Sequence, residues 1–394
     1  MVNIIMSVDW EQIRKEYFPA LELHTYIMAA SASPLNKRAY DEGINYLNTM
    51  LNHGDMYYEK FKEDVNKNRE TIAKYINCKP DEIAFVPNVS SGMNLVARML
   101  DIAEIIYPSV EFPASVHIFK RLGFPSKKIM PTNNKYLIKN IQKATSANTK
   151  ILIHSHVQSL TGYRQNLEKL GTFCKQNSLI NIINATQSFG SFDIDIKKEN
   201  IDILISNSLK WVGCGYGAAV LYINQNFFSE REIPFSGWLS VDDPFAMDNE
   251  NVDIINHPQF MDTFGGCPNY GALLALKGSF DLIKERIGLG NIKKGIINIQ
   301  ERILWLTELF LKKMREFDLK IITPLEPEFR SGIITIEHEN AEKIYDLFIK
   351  NNIFITLKRY PSAIKNTLLR FSFNYYNNEK DIDKVVKVLR SINI

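Results

Sequence analysis

The sequence predicts an α/β protein in two lobes, a parallel sheet with helices on its faces followed by a smaller α+β unit. Short runs such as "EIIYPSV", "KILIHSHV", "INIINA", "DILIS" and "AAVLYI" are rich in Ile and Val and do not alternate with polar residues. A strand with one wet face alternates, so unbroken runs of this length mark strands buried on both faces. Helical or polar stretches separate them, which is the alternation of a parallel sheet. From about residue 265 the character changes. The tail "RSGIITIEHENAEKIYDLFIKNNIFITLKRY…LLRFSFNYYNNEKDIDKVVKVL" reads strand, helix, strand, strand, helix.

Taken in order, "YIMAASASPLNKRAYDEGINYLN" reads as a short strand, a small-residue turn and a helix starting near Pro34. "YYEKFKEDVNKNRETIAKYINC" has apolar residues at three- and four-residue intervals and is a helix. "NYGALLALKGSFDLIKERIG" opens a long helix at the start of the second lobe. At 394 residues the chain exceeds most single domains. The expected division is 1–25, a segment packing with the small lobe, 26–265, the large lobe, and 266–394, the small lobe.

Composition removes several function classes. Lys plus Arg number 47 against 44 Asp plus Glu, a net charge of +3, too small for a nucleic-acid footprint. No stretch approaches the roughly 18–20 apolar residues of a membrane span. Cys78, Cys174, Cys214 and Cys267 form no paired motif, which argues against zinc or disulfides and for a reducing cytoplasm. "MVNIIMSVDWEQIRK" meets acidic residues before any long apolar core, unlike a signal peptide. His154 and His156 share a strand face, but no third ligand has sensible spacing, so no metal is expected.

Ligand sites in such sheets lie beyond the carboxyl ends of strands. Five polar clusters fall there: Asn88–Asn94, Glu111–Ser115, His156–Ser159, Asn184–Ser188 and Ser206–Lys210. Ser90, Ser91 and Gly92, after the strand "IAFV", would present hydroxyls and free N–H groups at a helix start, an anion site. The alternative reading is a plain serine cap. Lys210, in "SNSLKW", follows a strand and precedes Gly213, Gly215 and Gly217. A lysine so placed can form an imine with an aldehyde cofactor if its pKa is depressed.

Seven pieces in order, "YIMAASASPL", "VSSGMNLVA", "SHVQSLTGYRQNLEKLG", "NATQSFG", "SLKWVGCGYGAAVLY", "GGCPNYGALLAL" and "LLRFSFNYYNNEKDID", resemble the class V aminotransferase fold. This is the fold-type I pyridoxal phosphate (PLP) group, with cysteine desulfurases, kynureninase and isopenicillin N epimerase-like enzymes. The resemblance implies a mostly parallel seven-stranded sheet, PLP as cofactor and an amino acid as substrate. It also implies a homodimer with shared sites. Lys210 resembles the Schiff-base lysine that moves the Cα proton, and Arg370 the clamp on the substrate carboxylate, bordered by Ala30 and Ser31. Ser90, Ser91 and Asn207 resemble contacts to the cofactor phosphate, Gln187 and Ser159 those to its phenolic oxygen. Cys267, in "GGCPN", lies in the turn that reaches the neighbouring subunit's cofactor. Phe112 is expected to stack on the ring, and His156 to lie near the substrate.

The chain also departs from the family. Asn184 stands where an aspartate usually keeps the pyridine nitrogen protonated, so a weaker electron sink is expected. Leu209 replaces a common histidine. "FITLKRYPSAIKNTLLRFS" holds no cysteine where desulfurases carry their nucleophile. The expected activity is therefore a PLP-dependent lyase, epimerase or aminotransferase and not a cysteine desulfurase. Asn184 and Leu209 also favour a second reading, a PLP-binding protein with little catalysis.

Overall fold

The computed structural model describes residues 8–231 and 233–392. A first helix, Trp10–Tyr17, lies against the end of the chain. Arg14 pairs with the buried carboxylate of Asp381 at 2.7 Å, and Trp10 packs on Tyr375. Strand β1 (Thr25–Tyr26) pairs in parallel with Ile353–Phe354. These contacts tie the segment to the end of the chain, while Ile13, Tyr17 and Phe18 join the apolar cluster of the large lobe; residues before Val8 lie outside those described. The next helix, Lys37–His53, starts beyond Pro34 because the Asn36 side chain accepts from the Ala39 N–H at 2.9 Å.

The large sheet contains β2 (Ile83–Val86), β3 (Glu104–Pro108), β4 (Ser126–Ile129), β5 (Thr149–Ser155), β6 (Ile180–Asn184), β7 (Ile203–Asn207) and β8 (Ala219–Ile223). The order is β2-β8-β7-β6-β5-β3-β4, and only β8 runs against its neighbours. The expected mostly parallel seven-stranded sheet is thus present. Alternate residues feed separate cores. Ile183, Leu204 and Val220 join one apolar cluster, Ile182, Ile203, Ile205 and Ala219 the other. Burial on both faces explains why these runs lack polar alternation.

The small lobe has a four-stranded antiparallel sheet, ordered Thr356–Lys358, Leu368–Ser372, Ile333–Glu337, Lys320–Ile321. The helix Tyr270–Asp281 packs on Lys37–His53 of the large lobe. Core residues from Tyr270 to Ile303 join the large-lobe cluster, those from Leu306 to Met314 the small-lobe cluster. We therefore propose that the lobes divide within the helix Ile292–Met314 rather than near 265, since burial of Leu273, Leu276 and Phe280 ties the preceding helix to the first lobe. Among the described residues no helix is long and apolar enough to cross a membrane.

Candidate active site

The loops after β2, β3, β5, β6 and β7 converge on one cavity of about 360 Å³, closed from the small lobe by Arg370 and Lys358. Its size suits a small-molecule ligand. Each of the five sequence clusters lies at this edge, and from them Val89, Phe112, Ser159, Asn184, Gln187, Asn207 and Lys210 reach the lining.

Lys210 owes its position to the turn after β7. Gly213, Gly215 and Gly217 have φ of 70°, 82° and 100°, values that a side chain resists, so glycines let the chain double back. Trp211 is buried beneath, its Nε1 donating to Gln187 Oε1 at 2.9 Å. Lys210 Nζ lies 5.5 Å from the centre of the Phe112 ring. Burial, then repulsion from Arg370 and Lys358, lowers its pKa to about 7. No Asp or Glu lines the cavity to oppose this. An amine in that state is a competent nucleophile and base near neutrality.

Arg370 is 3 % exposed and has no carboxylate partner among the described residues. Its Nη1 donates to the Ser159 carbonyl at 2.8 Å and its Nη2 to Ser31 Oγ at 2.9 Å. Nε is buried without a partner. No carboxylate lines the cavity to neutralise this buried guanidinium, so the site lacks the counter-charge that a ligand carboxylate would supply. Ala30 and Ser31 line the cavity beside this fork, in line with the sequence.

Asn184, at the end of β6, is held in one orientation. Its Oδ1 accepts from the Thr186 N–H at 3.0 Å and its Nδ2 donates to Ser115 Oγ at 2.8 Å. Ser115 in turn donates to the buried carboxylate of Glu111 at 3.3 Å, which also accepts from the Ser155 N–H at 2.8 Å and from the Ser155 hydroxyl. Asn184 thus brings an uncharged amide, not a carboxylate, to the cavity lining. Gln187 donates to the Ala30 carbonyl at 3.0 Å. Asn207 Oδ1 accepts from the Val89 N–H at 3.1 Å, joining β7 to the start of the helix Val89–Arg98.

Four expected residues do not line the cavity. Ser90 and Ser91 sit in the first turn of that helix, whose cap is Asn88, accepting from the Ser91 N–H at 2.9 Å. The helix start therefore belongs to Asn88, and the serines are not its cap. His156 is buried against Phe192, because Ser155 faces the cavity and its strand neighbours face away. Burial holds its pKa well below the ordinary imidazole value, and its Nδ1 has no partner. Cys267 is exposed and outside the cavity of its own chain. Sequence reasoning missed Lys358, Ser155 and Tyr216, which do line it, and gave Thr186, inside the cluster Asn184–Ser188, no role of its own. For Lys358 a signal existed, the period-two "TLK" two positions from Thr356, which pairs with Arg370.

A near-neutral lysine at a strand end, an arginine fork without its acid and a sheet of this topology define an enzyme class that joins an aldehyde cofactor to amino acids. The chain belongs to the class V aminotransferase family: "Aminotransferase class-V" matches residues 25–385, and PLP is the cofactor of this family. The donor set fits that group. Lys210 offers a largely dehydrated amine, Phe112 an aromatic face beside it, and the lining is cationic and without acids. "Uncharacterized aminotransferase YcbU" of Bacillus subtilis is 22% identical over 377 residues, covering 94% of this chain and 95% of its own. "Probable cysteine desulfurase" of Pyrococcus abyssi is 24% identical over 370 residues, covering 86% and 89%. A solved apo cysteine desulfurase from Thermococcus onnurineus has the same fold, with a TM-score of 0.86 at 21% identity and 98% of each chain covered.

These likenesses correct one expectation. The lack of a cysteine before Arg370 does not set the chain apart from desulfurases, which stand among its relatives in both sequence and fold. One side chain in one loop is a local feature, whereas the likeness runs along most of the chain.

Proposed function

We propose that this enzyme binds PLP through Lys210 and acts on a sulfur-bearing α-amino acid, cleaving its Cβ–S bond. The observation that carries the reading is the pairing, in one acid-free cavity, of the near-neutral Lys210 with the buried Arg370 guanidinium, which has no carboxylate partner among the described residues. The choice of sulfur rests on the likeness to the Pyrococcus abyssi relative. Lys210 would hold the cofactor covalently, with Phe112 against its ring. Ser90, Ser91 and Asn207 would serve its phosphate, Asn184 its ring nitrogen, and Gln187 and Ser159 its phenolic oxygen. Bound PLP supplies an electron sink for negative charge at the substrate Cα. Arg370 receives the α-carboxylate on its free N–H groups and so fixes which bond at Cα meets Lys210. Lys210 Nζ takes the Cα proton and hands it to the sulfur as the Cβ–S bond breaks, a role that a pKa of about 7 suits. The sulfur leaves as sulfide from cysteine or as a persulfide from cystine, and the carbon part ends, after hydrolysis, as pyruvate and ammonia.

The test is incubation of the purified holoprotein with L-cysteine and with L-cystine, following sulfide, persulfide, alanine and pyruvate. Sulfur release from either supports the reading, and release from neither defeats the choice of sulfur.

A homodimer is part of the proposal. Leu51, Met56, Met247 and Val252 are each at least 70% exposed, an apolar load that a second copy would cover. Cys267 would then belong to the partner's site. Four unpaired thiols support a cytoplasmic setting.

A further inference from the structure

Lys358 is a cation in the cavity that the roles above leave unused. It lies two residues beyond Thr356 on the strand Thr356–Lys358, so both side chains leave the same face, about 7 Å apart along the strand. Thr356 stands opposite Arg370 in the antiparallel register, and its Oγ1 is 3.5 Å from Arg370 Nη2. Lys358 and Arg370 both line the cavity. Burial and the Arg370 charge both lower the Lys358 pKa, and no carboxylate opposes them.

Two partly dehydrated cations side by side repel each other, and the arrangement is unfavourable until anions complete it. The free N–H groups of Arg370 account for one carboxylate. On the reading proposed above, the cofactor phosphate would sit at the start of the helix Val89–Arg98, in the other lobe. The Lys358 ammonium therefore remains for a second anionic group on the same ligand.

We propose that Lys358 recognises an acid group on the substrate side chain, so that the site takes an α-amino acid whose side chain ends in a carboxylate, sulfinate or sulfonate. This rests on the reading that Arg370 receives an α-amino acid, and it is independent of whether a Cβ–S bond is cleaved.

Equilibrium titration of the holoprotein, read by calorimetry, tests it with two matched pairs: L-aspartate against L-asparagine, and L-cysteate against L-serine. The wild type should bind the acidic member of at least one pair about 10-fold tighter or more. Preference in the first pair assigns a carboxylate, and in the second a sulfur oxyacid. Lys358→Gln should bind both members of the pair alike, and Lys358→Arg should keep the preference. Equal affinities in the wild type, or a preference that survives Lys358→Gln, would overturn the proposal. So would weakened PLP binding by Lys358→Gln with the preference intact, which would assign the ammonium to the phosphate. Sulfur release without any acidic preference would leave the sulfur reading standing and defeat this one alone. Acidic preference without sulfur release would do the reverse.

Discussion

Replacing Arg370 by glutamine removes the one guanidinium that closes the cavity and leaves the Ser159 carbonyl without its donor. In the intact protein, Nη1 and Nη2 are anchored to Ser159 and Ser31, which pre-aligns the fork, while Nε has no partner. A bound carboxylate gains charge-assisted hydrogen bonds in a dehydrated site, and such bonds contribute about 1.5–3 kcal/mol each. Two of them at the lower figure, which is already net of exchange with water, amount to about 3 kcal/mol, or about 150-fold in affinity. The assay compares L-cysteine with cysteamine, which lacks the carboxylate, by titrating the visible absorbance of the holoprotein. The wild type should favour L-cysteine by about two orders of magnitude, and Arg370→Gln should bind the two nearly alike. A variant that still favours L-cysteine as the wild type does would refute the clamp.

Two further outcomes follow from the same geometry. With the Lys210 pKa lowered to about 7, the amine of the apoprotein is mostly protonated below that pH and mostly free above it. The rate of PLP capture should rise about tenfold per pH unit up to about 7 and then level off; a rate still climbing at about pH 9 would mean an ordinary lysine. At Gly332, an added Cβ would lie 2.4 Å from Trp211 Cη2 and 2.7 Å from the Phe373 carbonyl, while Trp211 is pinned to Gln187. Gly332→Ala should lower stability by about 2 kcal/mol in urea melts, and an unchanged midpoint would contradict the packing.

The fold was legible because doubly buried strands leave an unmistakable apolar run, as at Ile180–Asn184 and Ile203–Asn207. Strand direction was not. The antiparallel β8 has the same all-buried pattern as its parallel neighbours, since periodicity reports burial and not orientation. The lobe boundary proposed within Ile292–Met314 was not legible for a related reason: the helix Tyr270–Asp281 looks the same whichever lobe its apolar face meets. Lys210, Phe112 and Asn184 could be placed at the cavity because each follows or ends a strand, and Arg370 because it stands alone as a charge in the middle of the buried strand Leu368–Ser372. Lys358 was missed although "TLK" alternates, because only the pairing of Thr356 with Arg370 shows that this face meets the cavity. The placement of His156 turned on alternation along the end of β5, where one position decides which face a side chain takes. Asn88 took the capping role from the serines because its side chain reaches the Ser91 N–H first.

The central claim is that Lys210 carries the cofactor. Borohydride reduction of the PLP-loaded protein, followed by proteolysis and mass mapping, tests it without reference to any substrate. The account predicts a pyridoxyl adduct on the peptide containing "SNSLKW", at Lys210 and at no other lysine. An adduct on Lys358 or elsewhere, or none at all from protein with PLP bound, would contradict it.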